Sequence, residues 1–394
     1  MTNRINHPNL QLYLHIPFCV RKCAYCDFLS EPADAAEIDH YVQAMIGEIR
    51  SYQKQYAEYE VSTVFLGGGT PSILTEVQIA GVFSALYETF HIIPDAEISI
   101  EMNPGTVTKE KLLAYKSAGI NRLSIGLQSA NDEELKLLGR IHTMQDFLDT
   151  YELARSVGFE NVNVDLISAI PGQTSGSWLR TLKTVTDLNP EHISAYSLIV
   201  EEGTLFYEKY GSDGQYADHE GTSRLPGEEE ERIIYKDTLK FLTKLGYQRY
   251  EISNYAKPGY ECQHNRGYWQ RKNYLGIGVG AASLIENQRF GHITNRDAYI
   301  EFVNENQYDK LIEEKEDVSH QAQMEEFMFL GLRETKGISR ENFRILFQKD
   351  IVDVYGRVLQ TLQEEKLIEM QDDIIRLTEY GIDISNYVLS QFLL

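Results

Sequence analysis

A parallel α/β barrel or partial barrel with a small helical domain behind it is the fold this sequence predicts, on three observations. Six short apolar runs alternate with longer helical patterns up to about residue 200. Polar, glycine-rich or thiol-bearing residues follow run after run. Beyond about residue 320 the pattern changes to helices and one hairpin. Connections of the observed length suit right-handed βαβ crossovers, and therefore parallel strands. A doubly wound open sheet has the same local pattern, and sequence period alone does not separate the two.

The strand candidates are 12–16, 61–66, 97–101, 122–126, 162–167 and 192–198. Helices are expected at about 35–56, 75–90, 108–118, 131–138 with 145–157, and 175–187. The residues just past each strand carry more weight than the strands themselves. They are the thiol loop 19–26, Gly67-Gly68-Gly69-Thr70, Glu101-Met102-Asn103-Pro104, Gln128-Ser129, Asp165 with Pro171-Gly172-Gln173, and Tyr196 with Glu201-Glu202. A parallel barrel assembles its active site at this end of its strands. One polar loop means little, but six in succession predict one mouth.

An irregular stretch is expected over 203–227, then a helix at 228–245, the segment Tyr250-Glu251-Ile252-Ser253-Asn254-Tyr255, and a glycine-rich run at 276–280. A polar boundary at about 305–318 divides the chain into 1–305 and 306–394. The second part reads as helices at 320–334, 339–347 and 350–366, a hairpin through Gln371-Asp372-Asp373, and a last helix from 379. That order resembles a winged helix. From Gly337 onward, however, 10 acidic residues face 6 basic ones. Phosphate binding is driven by Lys and Arg, so a packing lid or protein contact is expected there rather than DNA.

The whole chain carries 59 acidic and 37 basic residues in 394, a net charge of -22. That opposes general binding to nucleic acid or anionic lipid, and no nucleic-acid partner is expected. A composition of 42% hydrophobic and 24% charged residues excludes wholesale disorder. The N-terminal segment has no secretory pattern, and no apolar run reaches the roughly 18 residues that span a bilayer. A cytoplasmic protein without a transmembrane anchor is expected, with transient docking at a membrane complex left open.

Three of the four cysteines, Cys19, Cys23 and Cys26, crowd eight positions, while Cys262 stands alone. In a reducing compartment such a C-x3-C-x2-C loop suggests a soft metal site rather than cross-links. An iron–sulfur cluster, zinc and incidental thiols are all open to it. Structural zinc wants four protein ligands, which only Cys262 or His264 could complete. A four-iron cluster held by three thiolates leaves one iron for an outside chelator.

This loop, with Tyr25 before its last cysteine, resembles the signature of the radical S-adenosylmethionine (SAM) family. The resemblance implies a partial (β/α)6 barrel, a [4Fe-4S] cluster on Cys19, Cys23 and Cys26, and SAM chelating the open iron. It narrows to the branch of oxygen-independent coproporphyrinogen III oxidases and heme chaperones, on Tyr13-Leu14-His15-Ile16-Pro17-Phe18-Cys19, 67–71, 101–104, 123–129, Asp165, 171–173, 250–255 and Cys262-x-His264-Asn265-x-x-Tyr268-Trp269. These stretches cover nearly the whole chain. The family implies SAM contacts at Tyr13, Tyr25, Gly68, Gly69, Thr70, Glu101, Gln128, Arg140 and Asp165. The residue types agree with that set, because hydroxyls and an ammonium want carboxylate acceptors and a carboxylate wants a guanidinium. For each residue taken alone, a cap or an inter-strand hydrogen bond is the plain alternative.

Two other motifs are declined. Gly67-Gly68-Gly69 lacks the Gly-Lys-Ser/Thr of a phosphate loop. Gly276-x-Gly278-x-x-Ala281 fits a relaxed dinucleotide fingerprint, but residues 268–274 are too polar for a buried parallel strand, so close packing around a turn is expected.

Departures from the family divide oxidase from chaperone. The oxidases of this branch carry a further cysteine two residues after the third, where this chain has Phe28, and a longer N-terminal extension. His264-Asn265-Arg266-Gly267-Tyr268-Trp269 resembles the HNxxYW heme-contact motif of the chaperones, with His264 as the heme contact and Cys262 a second possible ligand. The resemblance thus implies heme as cargo and an acceptor protein as partner. The alternative is radical decarboxylation of two propionates of coproporphyrinogen III to vinyls. A third reading is a zinc-stabilised barrel without radical chemistry. As a buried core histidine, His264 would contact no heme at all.

Overall fold

Each crossover helix begins where the sequence supplies a cap. In the computed structural model, which describes residues 7–211 and 224–394, Asp34, Thr75, Thr143 and Thr174 accept from the N3 amide while the N3 side chain reaches back. Such caps stabilise a helix start by about 1 kcal/mol. They separate β1 (Asn9–Ile16), α1 (Ala35–Ser51), β2 (Glu60–Gly68), α2 (Glu76–Thr89), β3 (His91–Met102), α3 (Lys109–Ser117) and β4 (Arg122–Gln128). Then follow α4 (Asp132–Leu137), α5 (Met144–Ser156), β5 (Val162–Ser168), α6 (Ser175–Asp187) and β6 (His192–Ser197). The six strands and the helices between them lie where the sequence predicts them.

The strands pair in parallel in the order 1-2-3-4-5-6. No reversal of order occurs, so the doubly wound alternative is not the one adopted. Tyr13 of β1 and Tyr196 of β6 line one cavity, which requires the sheet to curl. Its ends do not join. β9 (Tyr274–Ile277) runs parallel along the outer edge of β1, and β10 (Ala282–Ile285), β11 (Gln288–His292) and β12 (Ile312–Asp317) continue antiparallel. β8 (Asn254–Ala256) and β7 (Gln248–Arg249) extend β6. The result is a partial barrel.

The strands are not the plain apolar runs the sequence suggests; their two faces differ. Leu10, Leu12, Leu14 and Ile16 of β1, like Val64 and Leu66 of β2 and Ile98 and Ile100 of β3, are fully or almost fully buried and pack in one cluster with α1 and α2 residues such as Val42, Met45, Ile79 and Val82. Each contributes about 1.5–3 kcal/mol relative to exposure. The alternate residues Tyr13, Phe65, Glu101, Ser124, Asn163, Asp165 and Ser194 face the cavity.

After α7 (Leu205–Tyr210), within the stretch expected to be irregular, residues 212–223 lie outside the described set. α8 (Glu228–Lys244) packs on α6, and α9 (Gln263–Trp269) packs against β2. The glycine-rich run leaves β9, a short parallel strand despite the polar residues ahead of it, and enters antiparallel β10 rather than a helix. A dinucleotide turn needs a helix there, so the lookalike fails on topology.

α10 (Arg296–Asn304) closes the large unit. A second hydrophobic cluster runs from Met324 to Phe392. It holds α11 (His320–Gly331), β13 (Ile338–Ser339), α12 (Arg340–Phe347), α13 (Ile351–Glu364), the hairpin β14 (Ile368–Gln371) and β15 (Ile374–Leu377), then α14 (Glu379–Asp383) and α15 (Ser385–Ser390). Helix, strand, two helices and hairpin is a winged-helix order. This unit packs beneath α9, where Arg266 meets Glu334 at 2.6 Å and Arg271 meets Glu326 at 2.7 Å. Among the described residues no helix is long and apolar enough to cross a membrane.

Candidate functional site

The C-terminal ends of the six strands form one mouth, and the thiol loop lies across it. Cys19, Cys23 and Cys26 are all partly exposed and free. The loop is pinned by backbone: Cys19 N–H donates to Glu31 O (3.1 Å), Ala24 N–H to Leu138 O (3.0 Å), and Cys26 N–H to Cys23 O (3.3 Å). His15 anchors its far end, with Nε2 2.9 Å from Leu29 O and Nδ1 3.0 Å from the Tyr13 hydroxyl. A carbonyl only accepts, so Nε2 carries the proton and Tyr13 donates to Nδ1.

The loop after β2 presses directly on the thiol loop. A Cβ at Gly69 would lie 2.5 Å from the Phe18 carbonyl oxygen, so only glycine lets the two segments meet. Beside it, Gly68 N–H donates to Glu101 Oε2 at 3.1 Å, and the Thr70 hydroxyl sits 3.4 Å from Cys19 Sγ. Gln128 ends β4 with φ at 72°, a conformation uncommon outside glycine and one that marks strained functional segments.

Arg140 reaches in behind the loop. Nη1 donates to Cys23 Sγ (3.4 Å), and Nη2 to Asn103 Oδ1 (2.6 Å) and Gly126 O (2.8 Å); Tyr25 shares its charge. Its Nε is buried without a partner. Burial raises the Cys26 thiol, and the neighbouring thiols raise it further.

Below the mouth, Asp165 accepts from Ser124 (2.8 Å) and from Asn163 Nδ2 (2.8 Å). Asn163 Oδ1 in turn accepts from His192 at 2.6 Å. Burial, then the charge of Asp165, push the Glu101 carboxyl up to about 8, against the Gly68 amide that favours the anion. Both carboxylates line the cavity together with Tyr13, Tyr196 and Arg122.

All of the sequence-predicted SAM positions therefore gather at the mouth: Tyr13, Glu101 and Asp165 on the cavity, Tyr25, Arg140 and Gln128 around the thiols, and Gly68, Gly69 and Thr70 on the loop between. Glu201 and Glu202 do not join them and are exposed. Gln173 supports the rim instead, donating to Glu134 at 3.0 Å.

Cys262 and His264 line the floor of the same cavity, at the end of the barrel away from the thiol loop. Cys262 Sγ is 3.5 Å from Glu97 Oε1, and Glu97 pairs with Thr63, which pairs with Gln11. That level is five residues before the end of β1 at Ile16, roughly 16 Å below the thiol loop at about 3.3 Å per residue. Cys262 thus cannot complete a four-ligand zinc set with the loop. Among the described residues no three thiol, imidazole or carboxyl groups converge as on a single ion, whereas three thiols spread along one loop suit a multi-iron cluster. The orphaned Arg140 Nε and the glycine cradle beside the thiols also fit an anionic cofactor group.

His264 is 1% exposed. Its Nδ1 lies 2.7 Å from Thr63 Oγ1, which accepts from Gln11 (3.1 Å), and its Nε2 lies 3.0 Å from the Tyr268 hydroxyl. Burial lowers its pKa to about 3. A Cβ at Gly267 would collide with Gln11 at 1.9 Å, so this glycine is what lets α9 seat against β1. Trp269 faces the other way, under the Arg333 guanidinium at 4.4 Å. In this conformation the imidazole is a satisfied core group, and iron would reach it only by displacing Tyr268 or Thr63.

Reading the sequence alone misses Asn103, Thr63, Glu97, Arg122 and the pair Asn163 and His192. The signal for most of them is period two: 97, 99 and 101 share the inner face of β3, with Asn103 next in step just past its end, as 163 and 165 share that of β5.

Comparison with known proteins bears on the family and the fold. Residues 13–185 match the model of the radical SAM superfamily, and residues 318–384 that of the HemN C-terminal domain. The heme chaperone HemW of Bacillus subtilis is 35% identical over 97% of this chain and 98% of its own. HemW of Escherichia coli is 40% identical over 71% of each chain. The structure of coproporphyrinogen III oxidase (HemN) from Escherichia coli, described as a radical SAM enzyme, superposes with a TM-score of 0.84 at 26% identity, over 98% of this chain and 90% of that one.

Proposed function

The chain belongs to the radical SAM superfamily, in the branch that holds HemN and HemW, and we propose that within it the protein is a heme chaperone. It binds heme and a SAM-ligated [4Fe-4S] cluster, and transfers heme to an acceptor protein. The observation that carries this reading is the full-length similarity to HemW proteins, together with Phe28, 58% exposed, at the position where a fourth thiol of the oxidases is expected.

Cys19, Cys23 and Cys26 hold the cluster, and Tyr13, Tyr25, Gly68, Gly69, Thr70, Glu101, Gln128, Arg140 and Asp165 surround SAM. When bound, the cluster supplies a one-electron reductant to SAM. The chain's own contribution is orientation. Thiolates are the soft ligands iron–sulfur centres take; Glu101 and Asp165 present oxygens to the ribose hydroxyls and ammonium, and Arg140 a guanidinium to the carboxylate.

Heme is cargo, and His264 with Asn265 and Tyr268, which share one cavity wall, is its proposed contact. Iron takes a neutral imidazole, and burial, which lowers the His264 pKa to about 3, favours that form. To ligate, Nε2 must exchange the Tyr268 hydroxyl for iron while Thr63 turns to accept from Nδ1. Transfer takes place in the cytoplasm, with docking at a membrane complex as the route to a membrane-bound acceptor.

The test is a heme titration of anaerobically reconstituted protein in the Soret band, with His264→Ala alongside. Saturation near one heme per chain, weakened in the variant, supports chaperone and site. No saturable binding refutes both. The fold shared with HemN keeps one second reading, decarboxylation of coproporphyrinogen III; a divinyl product formed with turnover, seen by anaerobic mass spectrometry, would establish it instead.

A further inference from the structure

Two of the three thiols are joined by a continuous chain of side-chain hydrogen bonds. Arg140 Nη1 donates to Cys23 Sγ at 3.4 Å, and Arg140 Nη2 to Asn103 Oδ1 at 2.6 Å. Asn103 Nδ2 donates to Thr70 Oγ1 at 2.9 Å, and Thr70 Oγ1 lies 3.4 Å from Cys19 Sγ.

This chain has only one polarity. A guanidinium can only donate, so it fixes the Asn103 oxygen toward Arg140 and the amide nitrogen toward Thr70. A thiolate on iron can only accept, so with Cys19 in that state Thr70 Oγ1, already accepting from that nitrogen, directs its single proton to Cys19 Sγ. A flipped amide would set N–H against N–H. The backbone of Asn103 is held as well: its N–H donates to Ser72 Oγ (3.3 Å), and its carbonyl accepts from the Thr106 hydroxyl (2.6 Å). Thr70 is 2% exposed, so water does not compete for its proton.

Hydrogen bonds and positive charge at cluster sulfurs draw electron density from the metal and favour the reduced state. We propose that Asn103 is a positioning residue that aims two donors, the Thr70 hydroxyl and the Arg140 guanidinium, at the Cys19 and Cys23 sulfurs and thereby raises the reduction potential of the cluster they hold. The inference rests on the cluster reading above and adds what sets its potential. Cys26 has no such side-chain donor among the described residues and is bonded by the Phe28 backbone instead, so the side-chain donors, from the loop after β2 and from the Arg140 segment, act on Cys19 and Cys23 alone.

The experiment is an EPR-monitored redox titration of the full chain, its cluster reconstituted anaerobically from iron and sulfide, without SAM. Thr70→Val keeps the volume and removes the proton; Thr70→Ser restores it. Asn103→Leu removes both ends of the bridge, and Asn103→Asp turns the Thr70 proton toward the new carboxylate and adds negative charge. The midpoint should fall in Thr70→Val and Asn103→Leu, fall furthest in Asn103→Asp, and return to the wild-type value in Thr70→Ser. Should Asn103→Leu fail to fold, the two Thr70 variants decide the matter alone. Variants that titrate with the wild type overturn the proposal while leaving the cluster reading intact. A wild-type chain that takes up no four-iron cluster overturns both.

Discussion

Replacing Glu101 by glutamine is expected to stabilise the protein, increasingly so as pH rises. The carboxyl titrates near 4.5 when exposed, and burial with Asp165 across the cavity pushes it up to about 8 in the fold. Between those values the folded protein holds a proton that the unfolded chain has released, so stability falls with rising pH. The loss is absent below the unfolded value and complete above the folded one. At about 1.36 kcal/mol per pKa unit the ceiling is about 5 kcal/mol, and solvent entering at the mouth screens it to about 2 kcal/mol. Glutamine keeps a carbonyl oxygen for the Gly68 amide and takes up no proton. Denaturant midpoints of wild type and Glu101→Gln, measured at about pH 5, 6, 7 and 8, check this directly, provided the slopes agree. The gap should open from near zero at the acid end to about 2 kcal/mol at the alkaline end. A gap of constant size would refute the reasoning, because a pH-independent difference reports packing rather than proton linkage.

Three further outcomes are expected. Glu48→Ala removes a fully buried carboxylate that accepts from His292 (2.8 Å), Tyr52 (3.0 Å), the Gly278 amide (3.0 Å) and the Tyr299 hydroxyl; it should cost about 3–5 kcal/mol in denaturant melts. Burial opposes both charges of this pair, yet each holds the other ionised, lowering Glu48 and raising His292. The wild-type margin over Glu48→Ala should therefore shrink as pH falls through the Glu48 titration and again as it rises through that of His292. Cys262→Ala should leave iron and sulfide per chain unchanged, since its sulfur bonds to Glu97 at the barrel's other end, while alanine at Cys23 should abolish both. Glu326→Ala leaves Arg271 and Arg289 without the carboxylate they share at 2.7 Å, and should lower the unfolding free energy from denaturant melts by about 2–3 kcal/mol.

The layout of the barrel was legible because its outer layer is written in consecutive, local terms. Leu12, Leu14 and Ile16, or Ile98 and Ile100, announce a strand, and Asp34, Thr75, Thr143 and Thr174 announce the helix that follows. The mouth was legible for the same reason: each loop after a strand carries its own polar signal. Partnerships between distant segments were not. His264 bonds to Thr63, 201 positions away, and nothing local distinguishes such a histidine from one left free for a ligand. Asn103 stood in view inside a recognised stretch, but its function depends on Thr70 and Arg140 meeting it from two other loops. The short parallel strand β9 was discounted because its approach is polar; its own residues Leu275 and Ile277 are fully buried against β1 and outweigh the flanks.

The two faces of this sheet divide stability from function. Barrels of this class commonly fill their interior with branched aliphatics, yet here Glu101, Arg122, Asn163, Asp165 and Ser194 line it. Each is a group whose burial costs free energy unless it is bonded; the network through Asn163, Asp165, Ser124 and His192 meets that need for the polar centre, while Glu101 is held by the Gly68 amide and Arg122 by Asn161, its Nε left unbonded. The compensating stabilisation lies outside, between the strands and their helices, where nearly every facing residue is an aliphatic or aromatic with no accessible surface. A substitution that shortens Leu12 or Val64 should therefore act on folding and leave the mouth's geometry alone. An isosteric one at Asp165 or Asn103 should act on the mouth with little effect on folding. That separation lets the outer packing hold a scaffold while interior side chains change, and it accounts for a likeness to HemN that is closer in fold, at a TM-score of 0.84, than in sequence, at 26% identity.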